Sequence, residues 1–475
     1  MLTFFYLNDR IECYHWDFLE VVELQEKTVR NAITQGVIWK QILLFFIPVA
    51  LGTFFQQMYN TVDALVVGNF VGMNALASVG GLTGTVINLI VGFFVGISSG
   101  ATVAIAQHYG ADDKEGISKV VHTTAALALC VGAVLMVVGI LFVPNTLRLL
   151  NQPEELIADS TTYMRIYFAG IIPALVYNIG SGVLRAVGDS KRPMVYLIVC
   201  CLVNIVLDLV LVLFFNMGVA GVAIATTLSQ CVSAVLVTIR LIKTKDSYKL
   251  TPQKIRFHAA ETASILRIGL PAGLQSLMYS ISNVFIQSRI NLYGSDTVAA
   301  WTVLGKVDGF NWLIMGAFGI SITTFVGQNF GAGKMDRVKR SIWVTGGMTL
   351  AFTVIFSVIV MVFGKSLYRI FGADEAVLQV GMQMLWLIGP FYSLYVPVEI
   401  LSGTMRGVGE TLVPMLITCV GVCVTRIVWI LVAYTVTPSF YPVVISYPVT
   451  WALASAAFII YYKSGRWLRR VQGRV

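Results

Sequence analysis

Seven ionisable side chains stand inside long apolar runs of this sequence: Asp63, Arg165, Asp208, Lys306, Asp308, Glu399 and Arg426. Asn60, Asn204, Thr226, Gln275 and Asn283 add uncharged polar groups to the same runs. A charge at a bilayer centre costs about 2.5 to 3.5 kcal/mol on insertion scales, so an unpaired one marks a functional site. Asn204 and Asp208 are four residues apart, and Asn60 and Asp63 three apart, so each pair is expected on one helix face. Carboxylates and carboxamides gathered from different helices form a hard-oxygen site suited to a small cation such as sodium. The same two carboxyls can instead exchange a proton as a coupled pair. The structural alternative is that Asp63 or Asp208 is neutralised by Arg165 or a backbone group and only fixes packing.

The remaining charges divide differently. Glu399 stands where the first half of the chain has Asn178, and it is expected either to pair with Arg426 or to contact a substrate. Lys306 and Asp308 are two apart and cannot face each other on a helix. Pro48 precedes Asp63 on the same run, so a bend there is a candidate hinge that responds to the acidic site. Gln57, Tyr59, Asn60, Tyr177, Asn178, Tyr279 and Asn283 are candidate cleft-lining groups for a flat, partly apolar ligand, together with Glu399.

The elements that position these residues follow from composition. The chain has 475 residues, 57% hydrophobic and 12% charged, with a mean hydropathy of +0.79, against roughly a quarter charged in soluble domains. Runs long enough to cross a bilayer, about 20 residues each, begin near positions 40, 76, 120, 162, 194, 219, 262, 298, 341, 378, 412 and 441. The net charge of +9 sits mainly in alternate short loops, a positive-inside pattern that places both termini in the cytoplasm and excludes nucleic-acid binding as the reason for the basicity. Residues 1–35 carry no basic start and apolar core of a signal peptide; they read as a cytosolic tail, or as a start placed too early. Six of the seven cysteines lie in apolar runs without paired spacing and read as small apolar side chains; Cys13 is in the tail. Residues 364–366 spell Gly-Lys-Ser, but Ile359 stands where a phosphate loop needs its first glycine, and no nucleophile with a neighbouring base appears. A non-enzyme with no cofactor is expected, driven by an ion gradient rather than by ATP.

The chain repeats itself. SGVLRAVGDSKRPM at 181–194 returns as SGTMRGVGETLVPM at 402–415, and Gln107 and Gly110 return as Gln328 and Gly331, all at an offset of 221. Pro48 and Asn60 align with Pro271 and Asn283 at 223. An even number of spans per half makes the repeat parallel, about an axis along the membrane normal. The expected fold is an all-α polytopic membrane protein of 12 transmembrane helices in two six-helix lobes. Its parts are a tail at 1–35, lobes at 36–239 and 261–465, a basic linker at 240–260 and a basic tail at 466–475. Positions matching Asp63, Asn204 and Asp208 in the second half are Ile286, Thr425 and Trp429, so this acidic group belongs to one lobe.

The run FIPVALGTFFQQMYNTVDALVVGNFVG at 46–72, the AQHYGADD and GQNFGAGK segments, the doubled glycine-arginine motif and NIVLD at 204–208 together resemble the MATE (multidrug and toxic compound extrusion) family, over about residues 36–465. The resemblance implies a multidrug antiporter of the cytoplasmic membrane, exporting organic, often cationic compounds in exchange for sodium or protons and acting as a monomer. It maps the family's amino-terminal cation site onto Asp63, Asn204, Asp208 and Thr226, with sodium possible there. The acidic residue that some members carry on the seventh helix has no counterpart in LPAGLQSLMYSISNVFIQS. A flippase of lipid-linked precursors in the same wider superfamily is the alternative; it would be expected to bring several basic residues into the cleft.

Overall fold

The computed structural model describes residues 33–372 and 374–472. Most of the tail at 1–35, with Cys13, and the last residues of the tail at 466–475 lie outside the described residues.

The first lobe comprises α1 (Ile38–Val66, extended by a wide turn Val67–Val71), α2 (Met73–Gly80), α3 (Leu82–Gly110), α4 (Lys114–Leu149), α5 (Glu154–Ala169), α6 (Ile171–Ala186), α7 (Lys191–Leu209, extended by a wide turn Val210–Phe214) and α8 (Gly218–Lys243). The second comprises α9 (Ala259–Ile290), α10 (Ser295–Gly331), α11 (Met335–Ile370), α12 (Glu375–Ile388), α13 (Val396–Gly407), α14 (Leu412–Thr418), α15 (Thr425–Val436) and α16 (Tyr441–Lys463), followed by the short α17 (Arg466–Gln472). The pairs α2/α3, α5/α6, α12/α13 and α14/α15 each make one span, which gives six spans per lobe. Corresponding spans begin 221 to 223 residues apart, so the repeat seen in the sequence is a repeat of helices.

Among the described residues, ten helices are long and apolar enough to cross a bilayer, and the pair α5/α6, bent by 49°, forms an eleventh span. The twelfth is α9, long enough at 32 residues but too polar for that criterion. Its polarity has a cause: α9 packs backbone to backbone along α3 of the other lobe, so that side of it does not face lipid.

The lobes close on each other at the end that carries the basic loops. A Cβ at Gly100 would sit 2.3 Å from the Ile265 carbonyl oxygen, and one at Gly96 would sit 2.4 Å from the Gly273 nitrogen, so α3 and α9 touch backbone to backbone. The repeated glutamines finish the seal reciprocally. Gln107 donates across to the Gly407 carbonyl at 2.8 Å, and Gln328 donates back to the Ala186 carbonyl at 2.6 Å. Residues 33–36 are strapped to the second lobe, with Arg337 donating to the carbonyls of Ile33, Gln35 and Gly36 and Lys334 to that of Thr34. Residues 33–35 therefore belong to the folded body rather than to a free tail. The linker, which spans 244–258 between α8 and α9, is held to α4 by a Thr123–His258 hydrogen bond of 2.9 Å and by the Thr251 amide on His122.

Toward the opposite end the close approaches give out after Gly92 against Ser276 at 3.7 Å, and a Cβ at Gly80, Gly305 or Gly309 would meet nothing within 4 Å, so the lobes part there. Gln57, Asn60, Asn88, Asn283 and Lys306, from α1, α3, α9 and α10, are all exposed there. The helix α1 serves both lobes. Its first half joins the second lobe's core, where Phe46 stacks on Phe318 with centroids 4.0 Å apart, while Tyr59, Asp63 and Val66 turn into the first lobe.

Candidate functional site

Asp63 sits on the part of α1 that faces the first lobe, four residues before the helix widens at Val67–Val71. Asp208 ends a regular stretch of α7 just before a second widening at Val210–Phe214. Such single wide turns recur at functional sites because they re-aim side chains within an otherwise continuous helix. Asn204 lies one turn below Asp208, and Thr226 projects from α8. The four residues are 6%, 0%, 0% and 3% exposed for Asp63, Asn204, Asp208 and Thr226.

These side chains meet. The Thr226 hydroxyl donates to Asp63 Oδ2 at 3.2 Å. The carboxyl of Asp63 faces that of Asp208, with the Asn204 carboxamide beside it. Two carboxylates are acceptors only, so their meeting satisfies neither unless a proton or a cation lies between them. Asp63 Oδ1, both Asp208 oxygens and both polar atoms of the Asn204 carboxamide lack a hydrogen-bond partner. Buried polar atoms are almost always paired, and leaving one unpaired costs about 1 to 3 kcal/mol. Four orphaned oxygens from two helices, with the Thr226 hydroxyl of a third beside them, are a donor set that a desolvated small cation, or a shared proton, would complete.

Two tyrosines that sequence reasoning passed over complete the pocket wall. Tyr163 on α5 lies near enough to act electrostatically on both carboxyls, and Tyr167, one turn on, neighbours Tyr59. Their four-residue spacing in an apolar span was the available signal, since a buried phenol needs a polar partner. The neutralising role considered for Arg165 is not realised. Its Nε donates to the Ile140 carbonyl at 3.3 Å, on the α4 side of the lobe.

The other candidates are dispersed. Gln57 and Asn60 of α1 and Asn283 of α9 are exposed at the end where the lobes part. Asn60 thus parts from Asp63: a three-residue step leaves about 60° between side chains, enough for one to face the cleft and the other the lobe interior. Tyr59 is buried toward Asp63, and Tyr177 is buried with its hydroxyl on the Pro193 carbonyl at 3.0 Å, joining α6 to α7. Asn178 caps its own helix turn through the Ala174 carbonyl at 2.8 Å and borders a small apolar cavity with Ser98, Thr124 and Ile265. Tyr279 pairs with Tyr395 inside the second lobe. Pro48 is buried within α1, in the half that contacts the second lobe.

Glu399 and Arg426 do not form the expected pair. Glu399 is wedged against Gly319 of α10, while Arg426 donates to Thr450 Oγ1 at 3.1 Å and lies over the Tyr447 ring at 3.9 Å. Residues 399 and 426 lie on different spans, and nothing in their spacing told which neighbour each would meet. Asp308 turns into the second lobe and accepts from Tyr392, whereas Lys306, two residues earlier, is exposed.

Two six-span lobes that meet at one end, part at the other and bury an unsatisfied polar cluster in the first have the plan of a membrane transporter. The MatE family model matches residues 48–210 and again 271–432, one match per lobe, and the chain belongs to that family. It is similar to the probable multidrug resistance protein YpnP of Bacillus subtilis (strain 168), 29% identical over 440 residues, covering 91% of this chain and 97% of that one. It is similar also to the probable multidrug resistance protein YoeA of the same organism, 29% identical over 401 residues, covering 83% and 86% respectively. In fold it matches a solved structure described as the outward-facing conformation of a multidrug resistance MATE family transporter, with a TM-score of 0.85 and 24% identity over 94% of this chain and 98% of that one.

Proposed function

We propose that this MatE protein is a secondary multidrug exporter that takes up sodium ions or protons at Asp63, Asn204, Asp208 and Thr226 and expels amphipathic compounds from the cleft. The observation that carries this reading is the orphaned oxygen set: four buried oxygens of Asp63, Asn204 and Asp208 have no protein donor, and an exchangeable cation would satisfy them. The names of its relatives, probable multidrug resistance proteins, agree with export. Both termini lie in the cytoplasm, since the basic loops gather at their end, and the cleft then opens outward.

Coupling follows from α1. The same helix presents Asp63 to the ion site and Gln57 and Asn60 to the cleft. An ion that draws Asp63 toward Asp208 and Asn204 therefore changes how α1 meets a ligand, with Pro48 as the candidate bend. Reciprocal binding requires only that the two ligands favour different positions of α1. The test is uptake of a fluorescent amphiphile into inside-out vesicles, energised in turn by a sodium gradient and by a proton gradient. Uptake under one or both, lost in Asp63→Asn with the protein folded, is expected; uptake unaffected by that change overturns the proposal.

A further inference from the structure

The cleft's own electrostatics bear on which compounds it accepts. Thr302, Gly305, Lys306, Gly309 and Phe310 of α10 are all exposed, at spacings that share one helix face. Phe310 lies 6.4 Å from Phe54 of α1, so this face looks across at the first lobe. A Cβ built at Gly305 or at Gly309 meets nothing within 4 Å, which leaves open space on both sides of the lysine. Opposite it, α1 shows the uncharged Gln57, Asn60 and Thr61.

Carboxylates are withheld from this surface. Asp63 and Asp208 are buried in the first lobe, Asp308 is turned inward onto Tyr392, and Glu399 is wedged against Gly319. Exposed acids such as Glu154, Asp159, Asp296 and Glu375 lie at or near the outer ends of their spans. Among the described residues Lys306 makes no ion pair within 4.0 Å; of the other mid-span cations, Arg165 is tied to the Ile140 carbonyl of α4 and Arg426 is buried against Thr450 and the Tyr447 ring. An ammonium group is a compact charge with three donors, suited to an oxyanion.

We infer that Lys306 is a substrate-recognition residue, and that the cleft prefers apolar or aromatic compounds bearing one anionic group, such as a carboxylate or sulfonate, over organic cations. The inference rests on the exporter reading and narrows its substrate class. A cationic ligand in the same space would meet a like charge with no exposed carboxylate to offset it, whereas an anion gains a charge-assisted contact in a partly desolvated cleft.

Two probes with one fluorophore and opposite charge decide the matter: dansylglycine, an anion, and dansylcadaverine, a cation. Their binding to the purified full-length protein in detergent is read by fluorescence anisotropy, without any gradient. Dansylglycine is expected to bind at least tenfold more tightly than dansylcadaverine. Lys306→Gln should remove that preference and Lys306→Arg should keep it. Preference for dansylcadaverine, or an unchanged preference in Lys306→Gln, overturns the inference. Lysophosphatidic acid is expected to compete weakly; displacement of dansylglycine at equal concentration would assign the anion site to a lipid and overturn the small-molecule class. Since binding needs no gradient, absence of ion-driven transport would sink the exporter reading while leaving the charge preference standing, and loss of the preference alone would sink only this inference.

Discussion

The two lobes share a helix order and differ in what fills them. In the first, carboxyl groups face one another and keep oxygens that no protein donor reaches. In the second, Asp308 is answered by Tyr392 and Arg426 by Thr450 and the Tyr447 ring, within a cluster of Trp312, Tyr392, Tyr395, Tyr447 and Trp451 whose rings meet at 5.0 to 6.0 Å. The contrast separates two uses of a buried polar group. Single atoms such as Arg426 Nε and Asn311 Nδ2 are unpaired in the second lobe too, so the contrast lies in the carboxyl groups: Asp308 has a donor, whereas Asp63 and Asp208 face each other.

The largest effect that tests this contrast is expected at the orphaned pair. Asp63→Asn or Asp208→Asn should lower gradient-driven transport by about a hundredfold or more, because a carboxamide neither carries the proton nor supplies the anionic ligand. Thermal unfolding in detergent should show the variants folded. Retained transport would place the coupling site elsewhere and dissolve the contrast.

Next comes the seal that both lobes share. Gly110→Ala would put a Cβ 2.0 Å from the Gln328 carbonyl oxygen, and Gly331→Ala one 1.9 Å from that of Gln107. Neither clash can be relieved without parting α3 from α10, so each variant should disfavour the closed end. Cysteine cross-linking between positions 107 and 407 should drop several-fold in each, and equal cross-linking would show the seal to be more plastic than its geometry. Gln107→Ala should act more weakly, losing one hydrogen bond worth about 1 kcal/mol.

In the second lobe, Asp308→Asn should cost about 1 to 3 kcal/mol through its tyrosine partner and leave the ion dependence of transport intact. A loss of coupling as deep as that of Asp63→Asn would make the lobes functional equals.

The smallest effect is outside the membrane. The Gly116 amide, donating to Asp113 at the start of α4, holds that carboxyl below its ordinary range, helped by His108. A carboxyl lowered on folding stabilises at pH above its unfolded value and loses that contribution as pH falls through the folded one. Asp113→Ala should therefore lower the unfolding temperature slightly near neutrality, by the equivalent of about 0.5 to 1 kcal/mol, with the difference from the parent fading below the carboxylate range. A difference that persists there would mean that the cap's charge is irrelevant.

Much of the fold was legible because span formation is a local matter. Foreseen starts at 40, 194, 219, 412 and 441 fall within three residues of the helices beginning at Ile38, Lys191, Gly218, Leu412 and Tyr441, since transfer of about 20 apolar residues is decided segment by segment. The start foreseen at 162 lies eight residues inside α5, which opens with Glu154 and Glu155, charged residues that hydropathy counts against a span but a helix N-terminus favours. Gln107 and Gln328 were visible as markers of the repeat and not as partners of the opposite lobe, because a backbone carbonyl carries no sequence signature. Division of α1 between two cores was equally hidden: Phe46 and Tyr59 look alike in an apolar run.

By itself the sequence determined that this chain lies in a membrane, that it is built twice, and which few charges stand within its spans; insertion energetics and self-similarity need no partner. Tertiary structure decided which of those charges meet. Asp63 and Asp208 lie on separate helices, and only the rotation of α1 against α7 brings their carboxyls together while leaving Asn60 in the cleft. The same packing sends Asp308 inward and Lys306 outward from one helix, for side chains two residues apart point about 200° apart, and only a neighbour fixes which of them is buried.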